Sequence, residues 1–496
     1  MPRWMAAAFL LASACGQAPT TALLQPPAQA IRDGGPDAPA PRDAGPPVVT
    51  PRDGGTPTVS IDQWLAAHPR ITVDDVYDLP DGGRLFALRF MQPEDHFLDR
   101  DRWFEQHLLL RYRGADRPMV LHTTGYHLFG GAETWIARSA EPASLFGANE
   151  LIVEHRFFGD SIVQPRPDWT KMNIAQSAAD SHDLTVELKD HFTGNWVATG
   201  VSKGGMTAYF HHHHHPEDLD GVIAYVAPIS FGEDRRYQSW MDRIGPSDCR
   251  AQVLDVSAAL ITRRAEVATA MRMVDPGFNA VPPDVLETAV AYDALSFEWG
   301  FWQYFGSPMA CEALADPQGP AEDLASWVQV TPDELTNPEP SPTLPYRYQV
   351  ANELGSPAYG RPELWDLARD VDFSALPRAP GGPSWDPPRF DPEPMVRVDS
   401  WLRNEAPAIV GIYGAWDPWT GGMPTVSEDV GSTIHVVPQI GHRAQLELVT
   451  GPDRTRLLDR KVDMMGAPPV RNLTGSNATL EMHQALVDTV LELERH

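Results

Sequence analysis

The stretch Gly200-Val201-Ser202-Lys203-Gly204 constrains this chain more than any other. It follows a short apolar run, Asn195 to Gly200, that reads as a strand, and it opens a helix-forming segment that Pro216 stops. A serine flanked by glycines at such a junction has a defined conformational meaning. The chain turns sharply from strand to helix, the turn accepts only small neighbours, and the hydroxyl is lifted to the carboxyl edge of the sheet. That geometry calls for a parallel sheet with crossover helices.

The rest of the sequence supplies them. Strand-like runs begin at Arg84, Gln106 and Met119, and an apolar run from Glu150 ends in charged residues. A helical pattern from Asn173 to His191 follows, and Gly221 to Pro228 reads as a strand buried on both faces. From 233 to 400 the pattern changes to long amphipathic stretches such as Ala251 to Met273, Trp-rich segments, and a Pro-dense section from Pro377 to Pro394. Strand-and-loop grammar resumes at Pro407 and again at Ser432. The expected fold class is α/β, with the sheet domain over 59–232 and 401–496 and a mostly helical cap inserted over 233–400.

A serine hydroxyl attacks a carbonyl only when a base takes its proton, and that base is commonly an imidazole oriented by a carboxylate. The α/β-hydrolase fold places them in the chain order serine, acid, histidine. Asp417 lies just past a strand, 215 residues after Ser202, and His442 lies past the next strand, 25 residues later. His435 falls inside the strand run and reads as structural. The oxyanion needs two backbone donors, expected from the amide of Lys203 and from the loop Thr124-Gly125-Tyr126. Gly125 equally suits an ordinary tight turn. Serine hydrolysis of this kind needs no cofactor and no metal.

The first residues, MPRWMAAAFLLASACG, join a basic residue, a short apolar run and a small-small-Cys ending. Residues 1–15 read as an export signal whose end resembles a lipoprotein cleavage site, with Cys15 as the lipidated residue; the alternative is a plain signal peptide with a chance cysteine. The apolar run is too short to span a bilayer. Residues 16–58, rich in Pro, Gly, Ala and Asp, read as a disordered tether. In an oxidising compartment Cys249 and Cys311 are candidates for a bridge, two buried thiols being the alternative. A formal net charge of −28 argues against a nucleic-acid partner and leaves membrane contact to the lipid anchor alone.

Phe90 to Phe97 (FMQPEDHF), Val153 to Ser161 (VEHRFFGDS), Thr199 to Pro228, Phe301 to Gly306 (FWQYFG) and Trp416 to Trp419 (WDPW) appear in order along the chain. Together they resemble the secreted bacterial prolyl tripeptidyl aminopeptidases, serine peptidases related to lysosomal Pro-X carboxypeptidase and dipeptidyl peptidase. The resemblance implies an α/β-hydrolase domain with a helical cap that releases tripeptides, after proline, from free N-termini of peptide substrates. It places the triad at Ser202, Asp417 and His442 and a Cys249–Cys311 bridge within the cap. Such an enzyme must read a substrate ammonium with an unpaired carboxylate, for which Glu298 and Glu154 are candidates, Glu154 being better explained by an ion pair with Arg156. Trp299, Trp302 and Trp419 are candidates for an apolar proline pocket or for core. The alternative reading is a carboxylesterase or lipase on the same scaffold. A catalytically silent binding protein is opposed by the complete triad.

Five consecutive histidines, His211 to His215, close the helix that Ser202 opens. His211 and His215 have the i, i+4 spacing of metal ligands, yet no Glu follows in an H-E-x-x-H arrangement. The run lies about two turns from Ser202, so it is read as a helix terminus where histidine suits the negative end of the dipole, away from the catalytic edge. The sequons at Asn472 and Asn477 matter only in a eukaryotic secretory route.

Overall fold

The computed structural model describes residues 59–98, 101–164, 166–337, 342–358, 360–377 and 389–470. The export signal, Cys15, the tether, Asn472 and Asn477 lie outside the described residues.

Eleven strands are described: β1 (Ile71–Asp78), β2 (Arg84–Pro93), β3 (Trp103–Tyr112), β4 (Met119–Thr123), β5 (Asn149–Val153), β6 (Trp196–Val201), β7 (Gly221–Tyr225), β8 (Glu233–Asp234), β9 (Ser356–Pro357), β10 (Ile409–Gly414) and β11 (Thr433–Val437). Nine of them form one sheet in the order β1-β2-β3-β5-β4-β6-β7-β10-β11, and β8 pairs separately with β9. The first three strands join antiparallel, and from β5 to β11 every pairing is parallel. β5, β7 and β10 are buried at every position, as strands covered on both faces must be. β1, at the edge, is largely exposed.

Seven helices matter for the argument: α1 (Ile174–Leu188), α2 (Lys203–His214), α3 (Ser247–Thr262), α4 (Arg264–Val274), α5 (Pro283–Gly300), α6 (Glu393–Asn404) and α7 (Gly451–Met465). α1, α2 and α6 cover one face of the sheet, where Leu184, Phe210 and Val398 share a core with Leu121 and Ala198. α7 covers the other, where Leu457 and Met464 meet Val197, Ile223 and Val410. Val197 and Ala198 are neighbours in β6 and face opposite cores, the period of two that a strand imposes. No described helix is long and apolar enough to cross a membrane.

The cap has its own core, built from Val253, Leu260, Val267, Val290, Phe297, Trp302 and Trp327. A disulfide joins Cys249 in α3 to Cys311, 62 residues on, so the two thiols are not free. At the boundary expected near 400, α6 buries Met395, Val398 and Leu402 against the sheet. Tyr346 and Leu354 also belong to the sheet's core.

The histidine run departs from its expected role. His211 is fully buried with Nε2 on Asp218 at 2.8 Å, and His212 sets its ring edge-on to Trp401. Burial pushes the imidazoles of His212 and His213 down to about 4, so at neutral pH they are uncharged packing groups, without the charge that would suit a helix dipole.

Candidate active site

β6 delivers Ser202 into a backbone conformation that L-residues rarely adopt, φ 55° and ψ −123°, and α2 begins at the next residue. Two bonds pin the turn: the Ser202 amide donates to the Tyr225 carbonyl of β7 at 2.8 Å, and its own carbonyl accepts from Met206 at 3.0 Å. Gly200 is required by space, since a Cβ there would lie 2.3 Å from the Gly204 carbonyl carbon. The small residues of the pentapeptide therefore let the helix fold back against the strand that carries the serine.

Sheet order brings the partners to the same edge. β7 separates β6 from β10, and β11 flanks β10, so the loops after β6, β10 and β11 carry Ser202, Asp417 and His442 to one carboxyl end. Asp417 is fully buried; its Oδ1 accepts from the Trp419 amide at 3.0 Å and its Oδ2 meets His442 Nδ1 at 2.7 Å. An ionised carboxylate only accepts, so Nδ1 carries the proton and Nε2 keeps its lone pair for use as a base. The His442 amide donates to the Gln303 carbonyl at 3.0 Å, which ties the histidine loop to the cap. His435, as expected, sits in β11 away from this pair.

The Lys203 amide opens α2 and has no intrahelical acceptor. Across from it, Gly125 has φ +76°, and a Cβ would stand 2.5 Å from the Gly204 nitrogen, so only glycine lets this loop approach the turn. Gly125 thus serves close approach as well as the turn. The Tyr126 amide is drawn to Thr124 Oγ1 at 3.2 Å, which makes Gly125 the better loop donor for an oxyanion.

The family model for the PS-10 peptidases S37 matches residues 57–493. The prolyl tri/tetrapeptidyl aminopeptidase of Streptomyces mobaraensis is 32% identical over 346 residues, covering 68% of this chain and 71% of that protein. The chain belongs to the S37 peptidase family. It is a serine peptidase on an α/β-hydrolase scaffold. Among solved structures, Rv0554 of Mycobacterium tuberculosis is 15% identical with a TM-score of 0.33, covering 71% of this chain and 91% of that one. Proline iminopeptidase of Mycobacterium smegmatis is also 15% identical, with a TM-score of 0.31 and coverage of 76% and 97%.

Two expectations for this S37 peptidase are corrected. Glu298 is not an unpaired carboxylate: Arg361 forks onto it at 2.7 and 2.6 Å, although burial pushes its carboxyl up. Glu154 is engaged as well, yet not by Arg156, which pairs with Asp180 at 2.6 Å. Glu154 instead accepts from the Leu128 amide and the Ser161 hydroxyl, each at 2.8 Å, and organises two loops. Trp299, Trp302 and Trp419 resolve as core; they are 4%, 0% and 3% exposed, and Trp299 meets Trp419 edge-to-face at 5.0 Å. The rings of Trp419 and His442 are 6.3 Å apart, so this core supports the triad.

Other features of the S37 peptidase's site carry no sequence signal. Lys203 is buried beside the rings of Tyr126 and Phe158, its Nζ 5.8 and 5.3 Å from their centres. Burial pushes its amine down to about 7, and burial pushes Glu353, its carboxylate neighbour, up to about 7. Neither residue belongs to a spacing that marks a buried ionisable pair. Gln303 acts through its backbone carbonyl, which any residue has.

Proposed function

We propose that this S37 peptidase is an exported exopeptidase that releases tripeptides, after proline, from free N-termini through an acyl-enzyme on Ser202. The observation that carries the reading is the His442–Asp417 bond of 2.7 Å, formed beyond the nucleophile turn on the same sheet edge. His442 Nε2 takes the Ser202 proton, Oγ adds to the peptide carbonyl, and the Lys203 and Gly125 amides receive the oxyanion. His442 then protonates the leaving amine, and water repeats the sequence to free the acyl group. The name of the Streptomyces relative supports the substrate class. Export is supported by the first fifteen residues and by a disulfide, which needs an oxidising compartment.

Fluorophosphonate labels the wild type, and the label is absent in Ser202→Ala; an unlabelled wild type overturns the reading. Ala-Ala-Pro-p-nitroanilide is cleaved, while its N-acylated form and p-nitrophenyl esters are poor substrates. A preference for the esters assigns the site to a carboxylesterase or lipase instead.

A further inference from the structure

The histidine run does contribute to a cluster of metal donors, though not through the pair its spacing suggests. His182 in α1, His215 at the end of α2 and Glu217 just beyond each offer one ligand atom, and these atoms lie within 4.8 Å of one another. His211, fully buried with its Nε2 on Asp218, is not one of the three. Asp218 Oδ2 also binds His182 Nδ1 at 2.7 Å. The carboxylate therefore holds the proton on Nδ1 and turns the lone pair of His182 Nε2 outward, the arrangement by which a second carboxylate orients a metal-bound imidazole. Asp218 is itself fixed: its side chain is 4% exposed, and its carbonyl accepts from Lys189 Nζ at 2.7 Å.

The rings of His182 and His215 stack face to face, 3.9 Å between centres and 12° from parallel. His215 is half-buried and Glu217 exposed, and among the described residues neither side chain has a hydrogen bond or ion pair to break. Turning His215 out of this stack, so that its lone pair converges with that of His182, and swinging Glu217 toward them brings three donors to a tetrahedral site, whose metal–nitrogen bonds are about 2.0–2.1 Å. Two imidazoles and one carboxylate suit zinc over the hard cations calcium and magnesium.

We propose that His182, His215 and Glu217 bind one zinc ion, with Asp218 orienting His182 and water completing the tetrahedron. The ion joins α1 to the carboxyl end of α2, the helix whose amino end carries Ser202. It lies outside the triad and takes no part in peptide hydrolysis.

The test uses the full chain stripped with EDTA and titrated calorimetrically with ZnCl2. The expected result is one equivalent bound with Kd at or below about 10 µM, a Tm raised by at least about 2 °C at saturating metal, and a Co2+ spectrum of tetrahedral intensity. Glu217→Ala changes an exposed side chain and weakens binding at least about tenfold; His182→Ala or His215→Ala abolishes it. His213→Ala with His214→Ala leaves it unchanged. The proposal is overturned if zinc does not saturate at one equivalent, if Glu217→Ala binds as the wild type does, or if the His213, His214 double variant loses the ion.

Discussion

Ser202 is held where its backbone is strained, at a cost on the order of 1–3 kcal/mol, and the bond to Tyr225 together with the absence of a side chain at Gly200 keeps it there. Asp417 works through orientation: in Asp417→Asn the amide offers His442 a donor as well as an acceptor, and the imidazole takes the wrong tautomer. We expect kcat on Ala-Ala-Pro-p-nitroanilide to fall about 10⁴-fold while Tm stays within about 2 °C. Lys203 and Glu353 give a signature in stability. Glu353 rises from 4.5 to about 7 on folding, so the folded chain keeps a proton that the unfolded chain loses, and stability falls as pH rises from about 4.5 to 7. Lys203 drops from 10.5 to about 7, so the unfolded chain holds the extra proton, and stability climbs again from about 7 to 10.5. Tm against pH should show a dip near 7 that Lys203→Met with Glu353→Gln removes; a dip retained in the double variant refutes this assignment. The burial of these two side chains was invisible in the sequence, since burial is a property of what surrounds a side chain.

At the scale of elements, strand β6, the turn and α2 were legible together because each obeys a local rule: apolar run, glycine spacing, helix stop at Pro216. Most of α6 falls within the expected cap, 233–400, and its face of Met395, Val398 and Leu402 packs on the sheet. An amphipathic pattern shows that a face is buried but not what buries it. The disulfide makes its own prediction. It closes a loop of 62 residues, and constraining that loop in the unfolded chain is worth about 4 kcal/mol in the chain-entropy model. Cys249→Ser with Cys311→Ser should lower the apparent Tm in calorimetry by roughly 5–10 °C. Fluorophosphonate labelling at 25 °C should survive, because the bridge lies within the cap.

At the scale of the whole molecule, cap and sheet domain meet in the catalytic loops. Trp416 and Trp419, on either side of Asp417, are counted in the cap's core, and Gln303 of the cap holds the His442 amide. Trp302 packs edge-to-face on Trp416 at 5.8 Å with no exposed surface. Trp302→Ala should cost about 3–5 kcal/mol and should lower kcat in a folded sample below its Tm; a variant with reduced Tm but wild-type kcat shows that the cap does not position the Asp417 loop. The sequence by itself determined the order serine, acid, histidine, the parallel sheet that puts them on one edge, and the family, because spacing, turn chemistry and hydrophobic period are local and survive in one dimension. Only the tertiary structure decided which carboxylates are already engaged, that the tryptophans are core, and which histidines face one another. Those outcomes depend on neighbours 63 residues away, as Arg361 is from Glu298, or 33, as His215 is from His182. Such distances carry no periodic signal along the chain.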